Sequence, residues 1–237
     1  MALSQRLLLV FALLVTLPAS AEEETYDPFE SVNRKIYAFN SATDRYVLRP
    51  IARGYVTVTP DPVERGVGNF IRNIFEFNTI FNSLLQGRLA DTAHSTGRFL
   101  INSTLGVGGL FDVATRIGIE ERTADFGQTL YTWGVGEGPF IMVPVLGPRT
   151  LRSGVGTLVD TYASLPYLSN EGEIISIVTA IQAVDIRAQL LKADELIIGD
   201  PYIFLREAYL QQRNYFLTGE VQDSFSDFED EDDYEDF

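Results

Sequence analysis

The segment that most restricts how this 237-residue chain can fold is a helix-forming run from Pro62 to Leu85. With Phe70 set at zero and 100° added per residue, Phe70, Ile71, Ile74, Phe75, Phe77, Ile80, Phe81, Leu84 and Leu85 fill an arc of about 220°. Arg72 and Glu76 share the remainder. A helix facing one core needs little more than half that arc. Asn73, Asn78 and Asn82 fall inside it, so uncharged amides are mixed with large apolar side chains. Such a helix is either buried by protein on most sides or touches lipid as well as protein, and periodicity alone favours burial.

The remaining pattern is also helical. Asp200-Pro201 reads as a helix start, with Asp as N-cap and Pro at the first helical position, continuing from Tyr202 to Leu217. From Glu173 to Leu196, Ile174, Ile177, Val178, Ile181, Val184, Ala188 and Leu191 recur every three or four residues. Further helices are expected at Glu30–Tyr46, Leu89–Thr104, Phe126–Trp133 and Thr150–Tyr162. Only Pro139–Pro144, with a partner beside it, reads as extended chain or a hairpin. The expected fold is mostly α.

Composition removes whole classes of function. With no cysteine there is no disulfide framework, thiolate metal site or cysteine nucleophile, and the single His94 leaves no paired-histidine metal site. His94 reads as a surface or packing residue. Lys and Arg total 18 against 33 Asp and Glu, a formal charge of −15, which disfavours nucleic acid as a partner. No phosphate-loop, dinucleotide-binding or G-x-S-x-G motif occurs, so no cofactor, metal or enzymatic activity is expected.

The charge and hydropathy also divide the chain. In residues 1–21 Arg6 is the only charge, an apolar run spans Leu7 to Leu17, and Ala19-Ser20-Ala21 supplies small residues, which reads as a cleavable secretory signal. Residues 220–237 carry ten acids and no base, which reads as a disordered acidic tail, either a solvated extension or a partner-binding segment. Residues 22–219 form the intervening helical domain. Charge-free stretches recur there, at Phe99–Phe111, Phe126–Gly136 and Gly138–Pro148, each shorter than the roughly 20 residues that span a bilayer. Short apolar helices of this kind can lie among lipid headgroups or enter one leaflet. The 16 arginines against 2 lysines suit phosphate contact, and surface salt bridges would account for many of them equally well.

A set of short motifs then occurs in order: Asp27-Pro28-Phe29-Glu30 with Asn33-Arg34 and Phe39-Asn40, Leu48-Arg49-Pro50, Arg98-Phe99-Leu100-Ile101-Asn102, Gly106-Val107-Gly108-Gly109-Leu110-Phe111-Asp112, Phe126-Gly127-Gln128-Thr129-Leu130, Val143-Pro144-Val145-Leu146-Gly147-Pro148, Thr150-Leu151-Arg152, Arg187-Ala188-Gln189-Leu190-Leu191 and Asp200-Pro201-Tyr202. Together they resemble the MlaA/VacJ family from about Tyr26 to Gly219. The resemblance implies a ring-like helical domain in the inner leaflet of the outer membrane, on the periplasmic side. It implies an amphipathic channel that takes phospholipid misplaced in the outer leaflet to an MlaC-type periplasmic lipid carrier, in company with a trimeric porin. A structural adaptor that docks on porin and moves no lipid is the rival from another class.

On that reading the channel or gating candidates are Phe39, Asn40, Gly108, Gly109, Phe111, Asp112, Phe140, Val143, Pro144 and Leu146, and the headgroup-contact candidates are Arg149 and Arg152. Each has a plainer reading: helix packing for Phe39 and Asn40, a tight helix–helix turn for Gly106–Asp112, a buried strand for the run at Phe140, and surface salt bridges for the arginines. Three departures from the family pattern stand out. No cysteine is present to carry acyl chains, Ser153 stands where an acid is usual, and Tyr131 where glycine is common.

Overall fold

The computed structural model describes residues 27–164, 172–197 and 199–219. The expected signal at 1–21 and the acidic tail at 220–237 lie outside the described residues. The chain divides into two compact units after Ile197.

The first unit opens with α1 (Glu30–Thr43), a π-helical turn (Asp44–Leu48) and α2 (Arg49–Val58). Sequence pattern placed the end of this helix at Tyr46; the structure carries the helical path on to Val58. The misfit is Pro50, which lacks an N–H and whose ring would clash with the Tyr46 carbonyl in a regular α-helix, and the wider π turn absorbs it. Next come α3 (Asp61–Leu85), α4 (Leu89–Thr104), a single helical turn α5 (Val113–Arg116) and α6 (Phe126–Thr132). Strands β1 (Phe140–Val143) and β2 (Gly147–Thr150) form one antiparallel hairpin, with Phe140 opposite Thr150 and Val143 opposite Gly147. Then follow α7 (Leu151–Ala163), α8 (Gly172–Gln189) and a 3-10 stretch at Leu190–Leu196, where sequence periodicity had continued a single α-helix. The second unit holds α9 (Pro201–Thr218), capped by the Asp200 side chain, which accepts from the Tyr202 N–H, and closed by Gly219 in the left-handed region at φ 76°.

Within the first unit α3 is the central element: it packs along α4 and also meets α6 and α8, while α6 packs on α7, α2 on α8 and α1 on β1. Its orientation overturns the burial that periodicity favoured. Of its apolar arc only Ile71 is buried, while the other buried positions are Gly68, Asn73, Glu76, Thr79, Asn82 and Ser83. Phe70 and Leu84 are exposed, and Phe75, Phe77, Ile80 and Phe81 are partly so. This is possible because much of the polar stripe finds partners inside, although Asn73 Oδ1 and Glu76 Oε1 are buried without a hydrogen-bond partner. Asn73 Nδ2 donates to Ser103 Oγ at 2.9 Å, Asn82 Nδ2 to Asp160 Oδ1 at 2.7 Å, and Thr129 Oγ1 to Asn82 Oδ1 at 2.9 Å. Asn78 Nδ2 reaches the Asp160 carbonyl at 3.0 Å. Buried amides that keep their hydrogen bonds cost little, so the stripe can form an interior.

The α4–α5 connection is a tight turn. The Gly106 N–H donates to the Ile101 carbonyl at 3.1 Å, Gly109 N–H to Asn102 at 2.8 Å, and Phe111 N–H to Gly106 at 3.0 Å. Gly108 and Gly109 have φ of 71° and 93°. A Cβ on Gly109 would stand 2.6 Å from Asn73 Cβ, whereas one on Gly108 would meet open space. Gly108→Ala is therefore expected to cost about 1 kcal/mol from backbone strain alone, and Gly109→Ala at least about 3 kcal/mol, since it also pushes α4–α5 away from α3. Chemical denaturation of the two variants side by side checks the order.

Candidate functional site

The hairpin is held at its open edge by side chains of α1. Asn33 and Asn40 stand seven residues apart, two helical turns, and so point the same way. Asn33 Nδ2 donates to the Phe140 carbonyl at 3.2 Å while its Oδ1 accepts from the Met142 N–H at 2.8 Å. Asn40 repeats the pattern one step along, Nδ2 to the Val143 carbonyl at 2.9 Å and Oδ1 from the Val145 N–H at 2.8 Å. Two amides thus supply the donors and acceptors that a third strand would bring. Phe140 is buried beneath this clasp, and the tip turns through Pro144, Val145 and Leu146, with Val145 at φ 66° and both Val145 and Leu146 exposed. Phe39, next to Asn40, is also exposed.

The Gly-rich turn ends in a buried ion-pair network. Arg98, 4% exposed in its side chain, stands 3.7 Å from Glu76 and 3.4 Å from Asp112. It also donates to Thr115 Oγ1 at 3.0 Å and to the Ile119 carbonyl. Asn102 spans the same corner, Nδ2 to Asp112 Oδ1 at 3.0 Å and Oδ1 from the Ala114 N–H at 2.9 Å. Burial pushes the Glu76 carboxyl above its ordinary value, and Arg98 opposes the shift. Burial also presses upward on Asp112, but hydrogen bonds from Thr115 and Asn102 outweigh it and hold that carboxyl low. Asp112 is the N-cap of α5, so it fastens the end of the turn.

A second cluster joins the π turn to α8. Arg187 donates to Asp44 at 2.5 Å and to Asp194 at 2.8 Å, and Arg49 reaches the same two carboxylates at 3.3 and 3.2 Å. The hydrogen bond to Asp44 comes first among the interactions that hold Arg187 protonated.

The structure thus joins Asn40, Val143, Pro144, Leu146 and Phe140 in one clasped hairpin, and Gly108, Gly109, Phe111 and Asp112 in one turn against α3. The two arginines named for headgroup contact are engaged within the protein. Arg149 donates to Thr157 Oγ1 at 3.2 Å and to the Pro148 carbonyl at 2.7 Å. Arg152 is buried, donates to the Val135 carbonyl at 2.9 Å, lies 3.8 Å from Glu137 and sits 5.1 Å over the Tyr131 ring. Tyr131 thus packs on this guanidinium. His94 Nε2 lies 2.7 Å from the Glu120 carbonyl. The residues that sequence reasoning did not single out as functional are Asn33, Glu76, Arg98 and Arg187. The signals for Asn33 are its place in the Asn33-Arg34 motif and its spacing of seven from Asn40.

An interior stitched by amides, hydroxyls and ion pairs, under an exterior carrying Tyr46, Val58, Leu89, Leu105 and many other large apolar side chains, defines a class of helical protein whose outer surface is suited to an apolar surrounding. Among the described residues no helix is long and apolar enough to cross a membrane. The sequence pattern of the family described as MlaA lipoprotein matches residues 25–216, and the chain belongs to that family. It is 36% identical over 200 residues to the Escherichia coli protein named intermembrane phospholipid transport system lipoprotein MlaA, covering 81% of this chain and 79% of that one. An uncharacterized protein of Rickettsia typhi is 37% identical over 196 residues, 80% of this chain and 77% of its own length. A solved structure described as the structural basis for maintenance of bacterial outer membrane lipid asymmetry superposes with a TM-score of 0.73 at 35% identity. It covers 81% of this chain and 100% of its own.

Asn33→Ala leaves the Met142 N–H and Phe140 carbonyl buried without their side-chain partner, and is expected to cost about 2 kcal/mol, with Asn40→Ala costing less at its more exposed end. Urea unfolding of both variants reads this. Because Glu76 has its folded-state value raised, its contribution to stability is full below the unfolded carboxylate value and is lost as pH rises through the folded one. The thermal midpoint should therefore fall across that window in the unsubstituted chain, and Glu76→Gln should flatten the fall.

Proposed function

We propose that this chain removes phospholipid misplaced in the outer leaflet of the outer membrane and passes it to an MlaC-type periplasmic carrier, working beside a trimeric porin. The observation that carries this reading is the reversed distribution of polarity, with buried polar side chains outnumbering buried apolar ones among the described residues and large apolar side chains turned outward. A phospholipid headgroup crossing hydrocarbon loses hydration at a cost of several kcal/mol or more, unless protein dipoles replace the water. Hydroxyls, amides and paired charges hold the helices of the wall together from within, and the apolar outside this leaves lets that wall sit in one leaflet without a spanning helix. The names of the E. coli relative and of the solved structure support the same substrate and membrane.

The hairpin and the Gly-rich turn are the elements of the wall we assign to the lipid path. Asn40 sets the angle of the hairpin tip through Val143 and Val145, and Asp112 anchors the turn that carries Gly108, Gly109 and Phe111. Arg149 and Arg152 keep a supporting role in this reading: they hold the hairpin and α7 through the bonds they already make. In this reading the apolar exterior or the porin retains the chain at the membrane, and its 237 residues contain no cysteine.

The test is the phospholipid content of the outer leaflet in cells lacking this gene, with and without a copy encoding the chain. A rise that the copy reverses is the expected outcome. No rise in a strain with no second member of the family overturns lipid removal and favours the porin-docked adaptor.

A further inference from the structure

The helical path of α1, the π turn and α2 leaves one side uncovered. Ala52 is fully buried and Leu48 and Tyr55 are partly so, which sets the inward side, while Tyr46, Val47, Ile51 and Val58 are exposed at 75%, 48%, 50% and 79%. On a helical projection Ile51 and Val58 lie roughly 140° to 160° around from Arg53, so the open half runs from arginine at one border to aliphatic side chains at the other. Arg53 marks that arginine border, and Arg45, eight residues earlier in the π turn, lies about 80° further round on the same projection, about 120° to 140° from Ile51 and Val58. Both are exposed, and among the described residues their guanidinium groups meet no carboxylate or other hydrogen-bond partner. Arg49 between them is occupied by Asp44 and Asp194, so the two flanking cations are free while the middle one secures the helix.

We propose that Arg45 and Arg53 bind the headgroups of anionic phospholipids, making this face of α2 and the π turn an anionic-lipid docking surface. The inference rests on the membrane-seated reading above and adds a lipid class to it. A helix lying in the plane of a membrane meets acyl chains with one border and phosphates with the other, and the graded open half supplies both. Guanidinium binds phosphate through paired hydrogen bonds, and its aliphatic stem lies along apolar surface while the head stays at the interface. The zwitterionic headgroup carries its own ammonium against the phosphate. An anionic headgroup does not, so two unpaired cations discriminate between them. Continuity with Tyr46, Val47, Ile51 and Val58 favours lipid over an acidic protein partner, which would have to cover those side chains as well.

Flotation of the full chain with vesicles of phosphatidylcholine alone, and of phosphatidylcholine with about a third phosphatidylglycerol, tests this at low and high salt. Each arginine near an anionic surface strengthens binding about fivefold, so the unsubstituted chain is expected to bind the mixed vesicles between about ten- and thirty-fold more tightly, with the gain shrinking in salt. The Arg45→Gln/Arg53→Gln double variant should lose most of that gain and bind phosphatidylcholine vesicles as before, while Arg45→Lys/Arg53→Lys should keep most of it. Arg116→Gln, another exposed cation, serves as the control and should change the gain by less than the double variant does. A gain that survives in the double glutamine variant overturns the assignment of these residues, and no gain in the unsubstituted chain overturns the preference for anionic lipid. Failure of the unsubstituted chain to bind either vesicle is a different result, and sinks the membrane-seated reading itself.

Discussion

The rest of the first unit depends on the polar stripe of α3. Asn73, Glu76, Thr79 and Asn82 recur every third residue on the side of the helix that meets α4 and α6, and each of the two asparagines is anchored by a neighbouring element. Each hydrogen bond lost from the stripe would leave a further buried polar group unpaired, at on the order of 1–3 kcal/mol, so the stripe depends on the partners it has. Ser103, Thr129 and Asp160 are those partners, and they arrive on α4, α6 and α7. The hydrogen bonds therefore specify which helices surround α3, a job that shape-matched apolar packing does in most water-soluble domains. The apolar side chains, relieved of that task, face outward.

The same device recurs at the periphery. Asn33 and Asn40 close the hairpin edge, Arg98 ties Glu76 on α3 to Asp112 at the mouth of the Gly-rich turn, and Arg187 with Arg49 joins the π turn to the residues after α8. Charged and amide groups act here as directional connectors between elements whose outer faces are apolar. Ser153 and Tyr131 make connections of the same local kind. Ser153 completes a capping box with Thr150, its Oγ accepting from the Thr150 N–H at 2.8 Å, the task an acid at that position commonly performs. Tyr131 contributes a ring beneath Arg152.

The hairpin and the turn at Gly106–Asp112 are each pinned to the helical frame by a few bonds while their tips carry exposed apolar residues, Val145 and Leu146 on one and Val107 and Phe111 on the other. The proposed transport needs a frame that keeps its polar groups aligned while lipid passes, and a network with specific partners holds such alignment better than apolar contacts, which have no preferred direction.

By itself the sequence determined the helical content, the hairpin near Phe140, the cap at Asp200, and the motif order that marks the family, because periodicity, capping residues and turn glycines act within a few residues of one another. It also presented the wide apolar arc of α3 together with the two ways to satisfy it. Which way α3 turns was decided only by the tertiary structure, since the partners of Asn73 and Asn82 lie 30 and 78 residues further along. The same holds for Asn33 reaching Met142 across 109 residues, and for Arg187 reaching Asp44 across 143. The π turn that carries the helix past Pro50 is fastened by that last contact. A local pattern records what a residue can bond to, and only the folded chain brings the partner to it.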